Sequence, residues 1–416
     1  MIAIPMGLSE KAKFAQRQSL DLDAKIIMTK LRIRQWYEAH DGDVYVAWSA
    51  GRDSTTLLNI VWSMYPDVPA VFSDTGLELK DIKRFMRRVK NEGLNSVVDG
   101  QRITRCGEVI IVKPKKSFER VIKEDGFAVV SKTVAREVRI LTVEKYNPNW
   151  AQTKRLYDTG VKKNGDFNKA SMLPNKYRYL TRADIKVSEL CCDHLKKEPL
   201  DTYAKKTGFK SIQGIMAAEG GQRGKNVVCN AFDAKKPRSA PMLFWTPEDV
   251  TEYIARFDLS ISDAYKWVTN KKGRLVEPEQ RTGCAFCMFG LAFEKGLNRF
   301  QRLYHRDYRM WKHAIFQLGL HKPLDLMGIS YLPPDADPAD VPSENNTLNA
   351  YVTNKKQVAA TENKLIAAVK QMRADGEKTT VTTVAKKINM SRPTVNRHKH
   401  LLINRKTGDS TGLIAA

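Results

Sequence analysis

The stretch Val44-Tyr-Val-Ala-Trp-Ser-Ala-Gly-Arg-Asp-Ser-Thr-Thr-Leu-Leu-Asn-Ile-Val61 passes from an apolar strand through a short polar turn into an apolar helix. Gly51 lets a ligand approach the backbone closely, and Ser49, Ser54 and Thr55 supply hydroxyls beside the unpaired N–H groups that begin the helix. The stretch therefore predicts an anion-binding turn. It lacks the G-x-x-x-x-G-K-[ST] spacing with which kinases and GTPases hold a terminal phosphate.

The surrounding pattern predicts an α/β fold. A second apolar strand, Ala70-Val-Phe-Ser73, follows the helix and ends in Asp74-Thr-Gly76. Strand, helix and strand at this spacing indicate a parallel pair with a right-handed crossover, and an amphipathic helix over 20–40 precedes them. Further strands are expected near 109–113, 128–130 and 211–216. Residues 141–185 are polar and weakly periodic, which predicts an insertion or a long loop.

The charge of the chain bounds its partners. Its 416 residues contain 70 Lys and Arg against 46 Asp and Glu, a formal net charge of +24. Such a field attracts polyanions, so nucleic acid is the leading partner class, with a merely solvated basic surface as the alternative. No apolar run is long enough to span a bilayer, and the N-terminus lacks a signal-peptide pattern. We therefore expect a cytoplasmic protein without a membrane partner.

The C-terminal part predicts a separate small all-α domain. The segment Leu332-Pro-Pro-Asp-Ala-Asp-Pro-Ala-Asp-Val-Pro342 is a proline-rich and acidic linker. After it, apolar residues recur at helical spacing over 361–374, and further helical patterns follow. The predicted organisation is an N-terminal extension (1–24), an α/β domain (25–330), a linker (331–358), a helix-turn-helix-like domain (359–406) and a tail (407–416).

The helix-turn-helix prediction depends on residues 379–402. Val384, Ala385 and Ile388 would face the core from the first helix, and Ser391 would cap the second. A second helix of this kind enters a DNA groove. Its candidate nucleic-acid-binding residues are Arg392, Thr394, Asn396, Arg397 and Lys399. A three-helix protein-interaction domain is the alternative.

Four of the six cysteines form two close pairs, Cys191-Cys192 and Cys284-Ala-Phe-Cys287. In a reducing compartment such residues are more plausibly metal ligands or reactive thiols than disulfides. Four cysteines suit Zn²⁺ or an iron-sulfur cluster, and a tandem Cys-Cys is poor spacing for a zinc ribbon. An iron-sulfur cluster is favoured, with zinc or metal-free buried thiols as alternatives. Cys106 and Cys229 are expected to be small buried hydrophobic residues.

The chain resembles the phosphoadenosine phosphosulfate reductase family of the PP-loop ATP pyrophosphatase superfamily. The resemblance covers about residues 25–330 and implies a parallel-sheet PP-loop fold. It starts from the Ser-x-Gly-x-Asp-Ser turn and continues through four further blocks in the family's order. These blocks are Val71-Phe-Ser-Asp-Thr-Gly-Leu-Glu78, Ser188-Glu-Leu-Cys-Cys-Asp-His-Leu-Lys-Lys-Glu-Pro-Leu200, Gly214-Ile-Met-Ala-Ala-Glu-Gly-Gly-Gln-Arg223 and Arg281-Thr-Gly-Cys-Ala-Phe-Cys-Met-Phe-Gly290.

The resemblance implies roles for individual residues. It places Asp74 and Thr75 near the adenosine, or near a metal on it such as Mg²⁺, and makes Arg223 an anion clamp. The phosphate-binding residues would be Ser49, Gly51, Asp53 and Ser54, with Arg52 where many relatives carry lysine and Thr55 beside them. Arg52, Asp53 and Arg223 are the implied catalytic residues. Glu219-Gly220 stands where the family commonly has Glu-Ser, and the four paired cysteines are similar to the [4Fe-4S] pattern of adenylylsulfate reductases.

Three functions are compatible with these patterns. The first is an enzyme that binds ATP or a related adenylyl nucleotide, activates DNA or tRNA and transfers sulfur with the help of a sulfur-donor or reductant protein. The second is a sulfonucleotide reductase, but no cysteine follows Cys287 where such reductases carry a nucleophilic thiol near the C-terminus. The third is a nucleotide- or redox-sensing DNA-binding regulator without catalysis.

Overall fold

The computed structural model describes residues 9–143, 148–221, 223–225, 227–270, 273–281, 283–294, 296–337, 364–377 and 380–389. The chain divides into two compact units. One comprises Met1–Pro174 and Ile185–Gly319, and the other comprises Asn175–Asp184 and Leu320–Ala416. Within the described ranges, every helix is too short or too polar to cross a membrane.

A six-stranded sheet forms the centre of the first unit, in the order β5-β2-β1-β7-β9-β8, with only the β8-β9 pair antiparallel. The remaining strands form three two-stranded sheets, β3-β4, β6-β12 and β10-β11. The strands are β1 (Val44–Trp48), β2 (Ala70–Ser73), β3 (Leu94–Val98), β4 (Gln101–Arg105), β5 (Val109–Val112), β6 (Val129–Val130), β7 (Lys210–Gln213), β8 (Asn230–Ala231), β9 (Arg238–Ser239), β10 (Val268–Thr269), β11 (Leu275–Val276) and β12 (Met288–Phe289). The predicted α/β fold with a mostly parallel sheet is confirmed.

Helices flank this sheet and also form the second unit. The described α-helices are α1 (Glu10–Gln18), α2 (Leu22–Glu38), α3 (Arg52–Trp62), α4 (Lys80–Glu92), α5 (Phe118–Glu124), α6 (Lys132–Thr142), α7 (Pro148–Thr159), α8 (Glu198–Thr207), α9 (Pro247–Arg256), α10 (Arg299–Arg306), α11 (Tyr308–Lys312), α12 (His321–Leu326), α13 (364–374) and α14 (Val381–Lys387). Single π-helical turns at Asp193–Lys197 and His313–Gln317 continue into or out of α-helix.

Strand β1 lies at the middle of the sheet. Val46 pairs with Ala70 on one side and with Ile212 on the other, and all three side chains are fully buried. A parallel strand covered on both faces is apolar throughout, which explains the continuous apolar run of β1. The turn that follows β1 therefore opens at the carboxyl edge of the sheet, where the ends of β2 and β7 also lie.

The prediction of a long loop over 141–185 is wrong in part, because α7 lies within it. Contacts distant in the sequence stabilise this helix. The Arg139 guanidinium lies 5.6 Å from the centre of the Trp150 ring, and the Leu173 N–H donates to the Tyr157 carbonyl at 2.9 Å. A weak helical pattern can form a helix when neighbouring elements cover it.

In the second unit, α13 and α14 pack on one small core. Its buried residues are Leu365, Val369, Met372, Val384 and Ala385, with Val381 and Ile388 packed against them. The helical patterns predicted over 361–374 and around Val384 are thus found. Residues 390–416 lie outside the described residues, so the helix-turn-helix and the predicted domain limits stay predictions.

Candidate functional site

The turn after β1 is held by hydrogen bonds among its own residues. The Ser54 hydroxyl accepts from the Ser49 N–H at 3.2 Å, lies 3.0 Å from the Ser49 hydroxyl and donates to the Gly51 carbonyl at 3.1 Å. Ala50 adopts a φ of 56°, and Gly51 precedes α3 without any side-chain cap. The first amide groups of α3 therefore face the turn, as an anion site at a helix N-terminus requires.

Gly214, just beyond β7, lies against this turn. A Cβ at this position would be 3.1 Å from the Asp53 carbonyl oxygen and equally close to the Ser54 nitrogen and Cα. Such a distance is tighter than most real Cβ contacts, and backbone atoms cannot give way easily. Gly214 thus lets the segment that follows β7 approach the turn after β1.

Thr55, included among the predicted nucleotide-binding residues, is fully buried. Its hydroxyl accepts a hydrogen bond from the Trp48 indole N–H at 3.1 Å. This bond joins the end of β1 to the first turn of α3. The Thr55 hydroxyl therefore stabilises the turn after β1. That Thr55 contacts the nucleotide stays a prediction.

Arg52 is held by Tyr265, a residue that sequence reasoning did not select. The Tyr265 hydroxyl accepts from the Arg52 backbone N–H at 3.2 Å, and the Arg52 guanidinium lies 4.9 Å from the centre of the tyrosine ring. The guanidinium also donates to the Gln280 carbonyl at 3.4 Å. Tyr265 therefore engages one amide at the start of α3 and positions the cation next to it.

Three arginines from separate segments act on the Asp53 carboxyl. Burial raises the pKa of Asp53, and the charge of Glu219 raises it further, whereas Arg52, Arg281 and Arg223 lower it. Arg223 forms an ion pair with Glu219 and remains half exposed. The predicted clamp residue thus lies near the loop, and Arg281 joins it. Arg281 begins one of the family's sequence blocks, but the sequence predicted no role for it. Its influence on Asp53 arises only in the folded chain.

The residues after β2 form a second polar group. The Thr75 hydroxyl donates to Glu78 at 2.5 Å, and Lys83 lies 2.9 Å from Asp74. Burial acts to raise the pKa of Asp74, but hydrogen bonding and ion pairing with Lys83 outweigh it, so the pKa is lowered. Burial raises the pKa of Glu78. Asp74 and Thr75 therefore lie at the carboxyl edge of the sheet, with Asp74 paired to Lys83, and their predicted position near the adenosine or a metal stays a prediction.

The fold brings the two cysteine pairs together through β6 and β2. Val129 of β6 pairs with Met288 after the C-x-x-C turn, and Phe127 bridges to Val187 before Cys191. The Ser73 hydroxyl, at the end of β2, also donates to the Leu195 carbonyl at 3.0 Å. Cys191 and Cys284 are buried, and Cys192 and Cys287 are partly buried. Of the other two, Cys229 is buried as expected, but Cys106 is exposed, so its predicted burial is wrong.

The four thiols affect one another electrostatically. Burial raises the pKa of Cys191, and the charges of Cys284, Cys192 and Cys287 raise it further. Among the described residues, no three His, Cys, Asp or Glu side chains are placed closely enough to hold a metal ion as they stand. Four cysteines are the donor set of a four-thiolate group, and their binding of a metal or cluster stays a prediction.

Lys196 lies near both this cysteine group and the turn of residues 49–54 after β1, the predicted nucleotide loop. The charge of Cys284 raises the pKa of Lys196, with smaller contributions from Cys192, Cys287 and Glu78, while burial lowers it. A cavity of about 90 Å³ is lined by Ser49, Glu78, Lys196 and Gly283, with Trp48, Phe72 and Ile82 on its apolar side. One cavity thus touches the nucleotide loop, the segment after β2 and both cysteine segments. Lys196 was missed because a lysine pattern carries no signal of what surrounds it.

A buried ionic network supports the C-x-x-C turn. Arg299 donates to the Cys287 carbonyl at 3.1 Å and pairs with Glu294 at 2.9 Å. Arg302 is 2.7 Å from Glu279, with both side chains 3% exposed, and 3.2 Å from Glu294. The Ala285 N–H donates to the Leu77 carbonyl at 2.8 Å, which ties the turn to the segment after β2. This network fixes the backbone on which two of the thiols are carried.

The candidate nucleic-acid-binding residues, Arg392, Thr394, Asn396, Arg397 and Lys399, lie outside the described residues. Their predicted role stays a prediction.

The model of the phosphoadenosine phosphosulfate reductase domain matches residues 43–267, more than half of the chain. Among solved structures, the chain is similar to the phosphate complex of phosphoadenylyl-sulfate (PAPS) reductase from Candida auris, with 14% identity over 62% of this chain and 91% of that chain and a TM-score of 0.32. No curated protein matches. The family match covers β1, the nucleotide loop, Asp74, the tandem cysteines and Arg223, and the chain belongs to the phosphoadenosine phosphosulfate reductase family.

Proposed function

We propose that this nucleotide-binding enzyme transfers an adenylyl group and then sulfur, with DNA or tRNA as the acceptor. The observation that carries the proposal is the single cavity shared by Ser49, Lys196 and the C-x-x-C segment at Gly283. An acceptor oxygen attacks the α-phosphorus of ATP, and the bond to the β-phosphate breaks with release of pyrophosphate. A donor carrying sulfide-level sulfur then displaces the adenylylated oxygen as AMP.

The charges around the loop suit this chemistry. Burial and the charge of Glu219 raise the pKa of Asp53, and the charges of Arg52, Arg281 and Arg223 oppose that rise. Fixed cations placed where phosphate charge develops stabilise the transition state without reorganisation. Arg52 and Arg223 thus act on the leaving pyrophosphate in this proposal, and Asp53 orients them. Asp74 and Thr75 lie at the neighbouring strand end, where they contact the adenosine or a Mg²⁺ ion on the nucleotide.

We propose that Cys191, Cys192, Cys284 and Cys287 bind a [4Fe-4S] cluster, with zinc as the alternative. The electrostatic effect of Cys284, Cys192 and Cys287 on the cationic Lys196 supports this, because a four-thiolate group needs compensating positive charge. Bound there, the cluster would supply electron transfer or a site for sulfur. Purified protein should be brown, with absorption at roughly 400 nm from thiolate-ligated iron. A colourless protein that contains zinc would reject the cluster.

The proposed reaction is tested with γ-labelled ATP and nucleic acid, because the γ-phosphate leaves in the released pyrophosphate. We expect pyrophosphate release that Ser49→Ala and Asp53→Asn each reduce strongly. Ser63→Ala is the matched control, because Ser63 caps the far end of the same helix and its hydroxyl donates to the Ile60 carbonyl. Loss of activity in the control would show that general damage to α3, not loop chemistry, explains the other variants.

Sulfonucleotide reduction is the second candidate, and family membership favours it. Incubation with phosphoadenylyl sulfate or adenylyl sulfate and a reduced thiol protein should then yield sulfite. Sulfite formation without pyrophosphate release from ATP would replace the first proposal by this one. Tight binding of nucleotide with neither product would favour a sensing regulator.

The nucleic-acid link is supported by the net charge of +24. Residues 360–416 alone carry 11 Lys and Arg against 4 Asp and Glu. The variant Arg392→Ala with Arg397→Ala should weaken salt-dependent DNA binding by the full chain. Unchanged binding would mean that the basic residues of the first unit contact the nucleic acid, or that the C-terminal domain binds a protein partner.

A further inference from the structure

The hairpin β10-β11 exposes an apolar face. Val268 pairs with Val276 and Thr269 pairs with Leu275. Because side chains alternate along a strand, Trp267, Thr269 and Leu275 share one face, and Val276, which is 3% exposed, lies on the other. Trp267 and Leu275 are each 57% exposed. Large apolar side chains grouped on the outer face of a hairpin indicate a binding surface.

The sequence of the hairpin is basic. Between Lys266 and Leu275 the chain has four Lys or Arg residues and no Asp or Glu. Two of the four, Lys271 and Lys272, lie outside the described residues. Of the others, Lys266 lies 3.3 Å from Asp263 and its side chain is 60% exposed. An exposed aromatic ring interleaved with cations suits a ligand that has both π-faces and negative charge.

The hairpin starts at the mouth of the nucleotide loop. Tyr265, whose hydroxyl accepts from the Arg52 amide at 3.2 Å, stands two residues before Trp267. Two residues span at most about 7 Å between Cα atoms, so the exposed face begins beside the loop. The Asn270 side chain donates to the His305 carbonyl at 3.2 Å, which fixes the hairpin against the end of α10.

We propose that this face binds single-stranded nucleic acid and leads an unpaired nucleotide to the loop. Bases stack on Trp267 and pack against Leu275, and the described cations Lys266 and Arg274 contact phosphates. An indole ring that stands out from a hairpin can stack only on a base that is not enclosed in a duplex. This inference rests on the proposed function and names the form of its substrate.

The test uses the full chain and short labelled oligonucleotides of mixed sequence, single-stranded or duplex, with binding followed by fluorescence anisotropy. Trp267→Ala should weaken single-strand binding at least about fivefold, the effect of losing about 1 kcal/mol for one stacked base. Trp267→Phe should retain most of the affinity, because it keeps an aromatic ring. Phe167→Ala is the matched control, since Phe167 is 64% exposed elsewhere in the first unit. Duplex affinity should change in none of them.

Equal single-strand affinity in wild type and Trp267→Ala would overturn the inference and assign the face to a protein partner. An equal loss in Phe167→Ala would also overturn it, because the effect would not be specific to the hairpin. ATP binding by the same samples separates this inference from the proposed function. Wild-type protein that binds no adenine nucleotide contradicts the proposed function, whatever Trp267 does.

Discussion

The nucleotide loop and the cysteine group are built in opposite ways, although Ser49 of the loop lines one cavity with Lys196 and Gly283 of the cysteine-bearing segments. Ser49 and Ser54 are close in sequence and hydrogen-bond to each other, so the loop is shaped by its own residues. The cysteine pairs come from two distant segments, which β6, β12 and the end of β2 bring near each other. One site is local and preformed, and the other depends on the whole unit.

The nucleotide loop and the cysteine group also differ in their electrostatics. The loop offers cations and amide donors to a ligand that brings negative charge. The cysteine group is a set of thiols whose burial and mutual repulsion raise the pKa of Cys191. Lys196 offsets part of that charge, and a bound cation would supply the rest. The hydrogen bonds of the loop are therefore in place without a ligand, whereas the described thiols as they stand do not form a metal site.

The largest expected effect tests whether the thiols act as one group. Cys284→Ser should abolish metal binding, because a three-thiolate remnant loses a buried ligand of a four-ligand site. Metal content and visible absorption measure this. Cys106→Ser is the control, since Cys106 is exposed and unpaired with the group. Full metal content in Cys284→Ser would show that the four cysteines do not form one site.

The second test breaks the support of the C-x-x-C turn. Arg302→Met should destabilise the protein by about 3–5 kcal/mol, because Glu279 would stay buried with its charge and lose its 2.7 Å partner, which leaves the more distant Arg306 at 3.9 Å. Urea unfolding followed by circular dichroism measures the change. The exposed pair of Arg102 and Asp258 gives the control, Arg102→Met, with an expected change below about 1 kcal/mol. Similar losses in both variants would mean that burial of the network has no special effect.

The third test is a pH effect on the cysteine side of the unit. Glu137 of α6 is 5% exposed, and burial raises its pKa to about 7. A carboxyl whose pKa is raised on folding does not reduce the free energy of unfolding at a pH below its pKa in the unfolded chain. The reduction is complete at a pH above its pKa in the folded protein. Glu137→Gln should therefore leave stability unchanged near pH 4 and raise it by up to about 3 kcal/mol near pH 8. Thermal unfolding at both values measures this, and equal effects at both pH values would contradict it.

The smallest expected effect concerns the loop. Gly214→Ala places a Cβ 3.1 Å from the backbone of Asp53 and Ser54, so the loop must shift. We expect nucleotide affinity to fall about tenfold, the lower part of the ~1–3 kcal/mol cost of overpacking. Isothermal titration with ATP measures it. In Gly224→Ala, the control, the new Cβ meets only the Ala217 carbonyl at 3.4 Å. Loss of metal binding in Gly214→Ala would show that the nucleotide loop and the cysteine group are structurally coupled.

The sequence predicted the parts of the fold whose information is local. The apolar runs of β1 and β2 and the polar turn between β1 and α3 carry their own pattern, and the structure contains them where the pattern places them. Helix α7 was missed because its stability depends on contacts of Trp150 and Tyr157 with other segments. The exposure of Cys106 was missed for a similar reason, since a lone cysteine has no pattern that distinguishes core from surface.

By itself, the sequence determined the nucleotide loop, the family and the two cysteine pairs. Each motif and each pair consists of residues that lie close together in the chain, so its pattern can be recognised without the fold. Only the tertiary structure decided that Arg281 acts on Asp53, that Tyr265 holds Arg52 and that Lys196 lies near both the loop and the thiols. These relations join residues far apart in the sequence. They depend on strand pairing and on burial, which shifts pKa values only once the chain has folded.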